Sequence, residues 1–94
     1  MTVEVVLPGF LADLAGGEKH VRVEVGDGGT LSAVLDRLAE GRPLLDRRIR
    51  DETGAVRRFV NVYVDGEDVR FDRGVGTPVG DGSTVHVMPS VAGG

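Results

Sequence analysis

The residues best suited to chemistry stand at the end of the sequence. Gly93-Gly94 closes it, a few residues beyond Pro89. Glycine has no Cβ, so such a pair can thread a narrow channel and present a sterically bare carboxylate. A free carboxylate resists nucleophiles. Attack by its oxygen on the α-phosphate of ATP would convert it to an acyl-adenylate. Sulfide, a thiol or an amine could then displace AMP. The sequence carries no phosphate-binding loop, because its glycine pairs 16–17 and 28–29 lack the spacing and suit turns instead. A partner enzyme would therefore supply the ATP site, with Gly94 as the reacting group and Gly93, Ala92 and Val91 as the threaded stem.

Other candidate groups point to structure rather than catalysis. His20 and His86 alternate with valines, which turns them to the polar face of a strand. Neither has metal-ligand spacing. Ser32, Ser83 and Ser90 lack the context of a nucleophile elbow. Asp65, Glu67, Asp68 and Asp72 do not follow the ligand order of a calcium loop and read as a solvated turn. There is no cysteine, which excludes disulfides, thiolate metal sites and a cysteine nucleophile. Sulfur chemistry, if present, cannot run through a side-chain thiol. Arg47, Arg48, Arg50, Arg57 and Arg58 crowd one stretch. They are either a soluble loop with local ion pairs or a docking patch for an acidic partner.

Composition narrows the classes further. The 94 residues fit one small domain, and a net charge of -4 argues against nucleic-acid binding. No apolar run approaches the roughly 20 residues of a membrane span, and no signal peptide is evident, so a cytoplasmic protein is expected. Aromatics are 4% against 40% hydrophobic residues overall, so the core must be mainly valine and leucine.

Several short elements must position the terminus. Residues 2–7 and 19–25 are β-branched and alternating, which predicts a long-looped hairpin of two strands. Between them, residues 10–15 suit a single helical turn. Leu31, Val34, Leu35 and Leu38 share one helical face, with Thr30 as N-cap and Gly41 as terminator. Residues 44–56 are mixed and charged and predict an irregular turn and an exposed loop. Residues 59–64 form a central strand ending at the turn Asp65-Gly66. A short strand is expected at residues 69–71, a loop at 74–82, and a last strand at 84–88 stopped by Pro89.

This order predicts an α+β fold: a mixed four- to five-stranded sheet packed on one main helix, of the ubiquitin-like β-grasp type. Residues 1–89 would form the domain, and 90–94 a flexible C-terminal tail ending in Gly-Gly.

The segments RFVNVYVDGEDVRF (residues 58–71) and DGSTVHVMPSVAGG (81–94) resemble the MoaD/ThiS sulfur carriers, over essentially the whole chain. The nearest likeness is to the CysO-type branch of actinobacterial cysteine biosynthesis. The resemblance implies a carrier and co-substrate rather than an enzyme. Gly94 would be adenylated by a MoeB/MoeZ-type enzyme and converted to a thiocarboxylate. Sulfur would pass to a PLP-dependent cysteine synthase acting on O-phosphoserine, and a JAMM-type zinc metalloprotease would release the product. ATP, zinc and PLP would belong to those partners, with none bound here. Molybdopterin, thiamine or a secondary metabolite could be the sulfur acceptor by the same tail logic. A ubiquitin-like modifier joined through Gly94, or a plain interaction domain, are the other readings. Docking is expected on the open face of the sheet near the C-terminal strand, with Phe71, Arg58 and Val91 as contacts.

Overall fold

Valines at alternate positions build the sheet. β1 (Thr2–Val6) buries Val3 and Val5; β2 (His20–Glu24) buries Val21 and Val23. β3 (Val60–Val64) and β5 (Thr84–Pro89) add Val62, Val64, Val85 and Val87. The computed structural model describes residues 1–89, so the predicted tail, Ser90 to Gly94, lies outside the described residues.

β1 and β2 pair antiparallel, with Val5 opposite Val21. β5 enters between β1 and β3. It runs parallel to β1, with Val5 beside Val85, and antiparallel to β3, with Val62 opposite Val87. The two-residue strand β4 (Glu67–Asp68) closes the other edge. The order is β2-β1-β5-β3-β4, a mixed five-stranded sheet. This is the ubiquitin-like β-grasp arrangement expected from the element order. The turn at Asp65-Gly66 takes positive φ at both residues, 50° and 88°, the hairpin turn that this pair favours.

α1 (Gly9–Ala12) and a 3₁₀ turn at Asp13–Ala15 bury Leu11, Ala12 and Ala15. α2 (Leu31–Ala39) covers the sheet with the predicted face, and Gly41 ends it at φ 72°. Its start differs in detail from the expected cap. Thr30 holds the N-cap position, but its hydroxyl makes no capping bond. The Leu31 N–H donates instead to the Thr77 carbonyl at 2.9 Å, and Thr30 bridges Pro78. A distant loop therefore does the work of a side-chain cap.

Three further expectations need correction. The stretch read as irregular contains a second helix, α3 (Pro43–Ile49). Proline opens it, where no N–H is required. Leu45 and Ile49, four apart, are its buried face. The 69–71 segment is a 3₁₀ turn and not a strand. The Asp68 carboxylate accepts from the Arg70 N–H at 2.9 Å, which bends the chain out of the sheet after β4. Part of the predicted loop at 74–82 is also a 3₁₀ turn, Gly74–Gly76.

Among the described residues the buried hydrophobic core holds only valine, leucine, isoleucine and alanine. All three phenylalanines are exposed: Phe10 at 57%, Phe59 at 61% and Phe71 at 90%. Among the described residues one charged side chain is buried. The Arg50 guanidinium donates to Asp46 and to Asp36 at 2.8 Å each, tying α3 to α2. Burial alone would lower the Arg50 pKa, but these two carboxylates outweigh it and hold the pKa above its ordinary value.

Candidate docking site at the root of the tail

β5 carries the chain towards its terminus through the middle of the sheet. Its last residue, Pro89, stands opposite Val60 at the start of β3. The Val60 main-chain groups point away from β5: its N–H donates to the Arg57 carbonyl at 3.1 Å. The Val60 carbonyl accepts from Arg70 Nη2 at 2.8 Å, and the same nitrogen donates to the Arg58 carbonyl at 3.0 Å. Arg70 thus continues the edge that β4 leaves short. It anchors the start of β3, which pairs with Pro89.

This arrangement unites two residues expected at the docking surface. Arg58 and Phe71 are far apart in sequence, yet Arg70, the neighbour of Phe71, bonds directly to the Arg58 backbone. Phe71 is almost fully solvated, and Met88 is 48% exposed. Asn61 lies opposite Met88. Its Oδ1 is buried with no hydrogen-bond partner among the described residues. The remaining expected site residues, Val91, Ala92, Gly93 and Gly94, lie outside the described residues.

The five clustered arginines divide into two groups. Arg50 belongs to the buried pairs above. Arg47 and Arg48, from the last turn of α3, and Arg57 and Arg58, just before β3, line an open concavity of about 710 Å³. Phe10 and Phe59 line it too, and so do Val60 and Asp51. The local ion pairs expected for this stretch are thus seen at Arg50, while the other four arginines face an open surface. Phe10 was grouped by its spacing with the buried Leu11, and no sequence signal set it apart. Arg70 was equally hidden, inside a run that reads as a strand.

The other candidates have structural partners. His20 Nδ1 lies 3.2 Å from Glu4 Oε2 on the open face, and His86 is exposed. Ser83 Oγ donates to Asp65 Oδ2 and accepts from the Gly80 N–H, each at 2.9 Å. Among the described residues no group of three or more His, Cys, Asp or Glu could hold a metal ion. No described helix is long and apolar enough to cross a membrane.

A ubiquitin-like body whose fifth strand delivers the C-terminal segment from the sheet centre defines the class. Comparison with known proteins then gives the family. Residues 5–94 match the model of the ThiS family, and the chain belongs to that family. It is 41% identical to the sulfur carrier protein CysO of Mycobacterium tuberculosis, covering 100% of both chains. The crystal structure of M. tuberculosis CysO superposes with a TM-score of 0.83 at 40% identity, over 95% of this chain and 99% of that one. CysO in the Amycolatopsis orientalis BexX/CysO complex gives 0.78 at 38% identity, over 98% and 99%. The small archaeal modifier SAMP1 of Haloferax volcanii gives 0.81 at 30% identity, over 100% of both chains. The expected likeness to CysO-type carriers is borne out.

Proposed function

We propose that this chain carries sulfur on the carboxylate of Gly94 for biosynthesis, with cysteine as the foremost product. The carboxylate oxygen attacks the α-phosphorus of ATP on a MoeB/MoeZ-type enzyme, and pyrophosphate leaves. Sulfide delivered by that enzyme attacks the acyl carbon, and AMP leaves, so that a thiocarboxylate remains. A PLP-dependent cysteine synthase then joins this sulfur to Cβ of O-phosphoserine, whose Cβ–O bond breaks as inorganic phosphate leaves. A JAMM-type zinc metalloprotease cleaves the cysteinyl adduct and restores the carrier. ATP, PLP and zinc reside on those partners. The chain contributes a rigid handle and a terminus without side-chain bulk.

The supporting observation is the placement of Pro89. It is held opposite Val60 in the sheet, with Ser-Val-Ala-Gly-Gly following in sequence. The likeness to CysO over the full length favours cysteine over other sulfur acceptors. The test is to present the thiocarboxylated chain to the synthase with O-phosphoserine and measure its intact mass. A cysteinyl adduct on Gly94 is the expected result. Quantitative return of unmodified thiocarboxylate, with a synthase active on another carrier, would refute the cysteine assignment.

The likeness to SAMP1 supports a second reading, in which the activated Gly94 is joined to lysines of other proteins. Lys19 is the only lysine in the chain, so self-linked polymers would have one side-chain site. Conjugates in a lysate that vanish when Gly94 is deleted would favour this reading.

A further inference from the structure

We propose that the arginine-lined concavity beside the tail root docks an acidic, apolar-flanked segment of the activating enzyme. This rests on the functional reading above and adds a recognition element to it. Four of the chain's 11 cationic side chains, Arg47, Arg48, Arg57 and Arg58, converge on this one concavity, although the chain as a whole carries a net charge of -4. Of the other arginines, Arg37 pairs with Glu40, Arg50 with Asp36 and Asp46, and Arg73 with Asp72, while Arg42 and Arg70 are taken up by backbone carbonyls. None of the four has an ion pair among the described residues. The one carboxylate in the concavity, Asp51, is hydrogen-bonded by Thr53 and Ala55 and offsets Arg57 in part, which leaves an excess of positive charge from the four arginines. Like charges gathered in excess repel one another, and a complementary anion relieves that repulsion.

Phe10 and Phe59 give the concavity an apolar wall. Solvated phenylalanines are costly in a chain whose core uses none, and they suit a partner's apolar side chains. Guanidinium groups beside them bind carboxylates in fork geometry. The position ties the surface to the reaction. Val60 lines the concavity and stands opposite Pro89, so a segment seated there lies at the start of the stem that leads to Gly94.

The test is steady-state adenylation by a MoeB/MoeZ-type enzyme from the same organism, followed by pyrophosphate release. The variant is Arg47→Gln/Arg48→Gln/Arg58→Gln, which spares Arg57 and its bond to the Arg47 carbonyl. Arg73→Gln, outside the concavity, is the control. The expected result is a KM for the carrier raised about tenfold in the triple variant, with kcat within about twofold. The KM of the unaltered chain should also rise with salt, while that of the triple variant stays flatter. An unchanged KM in a triple variant that melts like the unaltered chain would overturn the proposal. Should the triple variant fail to fold, the salt series on the unaltered chain decides, and a KM indifferent to salt overturns it. Self-association that the substitutions abolish would assign the concavity to a second copy and overturn it too. No adenylation of the unaltered chain would refute the functional reading itself, an outcome distinct from an intact activity that ignores the arginines.

Discussion

The Arg70 guanidinium holds the Val60 carbonyl at 2.8 Å, directly across the sheet from the last described residue, Pro89. The same nitrogen reaches the Arg58 carbonyl. One side chain thus anchors the start of β3, and β3 in turn anchors the end of β5. Arg70→Ala should lower stability by about 1–2 kcal/mol, because two backbone acceptors lose a charged donor. Urea denaturation at neutral pH checks this. Stability equal to that of the unaltered chain would show that water replaces the guanidinium without loss.

Neighbouring leucines on α3 make a sharper contrast. Leu45 is fully buried, whereas Leu44 is 67% exposed. Leu45→Ala should destabilise by about 2–4 kcal/mol through lost contacts and the cavity left behind. Leu44→Ala should change stability by less than about 0.5 kcal/mol. Equal effects would contradict the assigned helical face.

Acid should loosen the turn after α3 in a defined window. The Thr53 hydroxyl and then the Thr53 N–H hydrogen-bond the Asp51 carboxylate and hold its pKa below the ordinary 3.8. Because the folded value is depressed, the stabilisation is present above pH 3.8 and is lost as pH falls through the folded pKa. A carboxyl-carbon NMR titration should find the Asp51 midpoint below 3.8. Exchange of the Thr53 and Ala55 amides should quicken below that midpoint. A midpoint at or above the ordinary value would contradict the turn geometry.

Phe71 separates docking from folding. It is 90% exposed, so Phe71→Ala should leave the melting curve nearly unchanged. It should nevertheless slow activation several-fold if the surface beside Arg58 meets the enzyme. An unchanged activation rate in the folded variant would remove Phe71 from the docking surface.

The sheet was legible because its strands alternate. Val21, Val23, Val62 and Val64 mark their faces with period two, and Asp65-Gly66 marks a hairpin. α2 was legible from four apolar residues on one face. α3 was not, because only Leu45 and Ile49 face the core and charged residues surround them. The true strand β4, Glu67–Asp68, has no apolar pattern, and the adjacent Val69 mimics one. The two remaining cases have different causes: a local bond from the Arg70 N–H to the Asp68 carboxylate turns the chain after β4, and a tertiary bond to the Thr77 carbonyl caps α2 in place of the Thr30 hydroxyl. For the site, Gly93-Gly94 was visible as a pair of residue types. The Arg70 clamp and the meeting of Phe10 with the arginines depend on contacts across the fold, which spacing does not encode.

The central claim is that Gly94 carries the reacting carboxylate. Its most direct test is intact-mass spectrometry after incubation with ATP, a sulfide source and a MoeB/MoeZ-type enzyme. The full chain, a chain lacking Gly94 and Gly94→Val are compared side by side. The account predicts replacement of one oxygen by sulfur in the full chain only, with all three proteins folded alike. Sulfur gained equally by the chain lacking Gly94, or none gained by the full chain while a control carrier is charged, would contradict it.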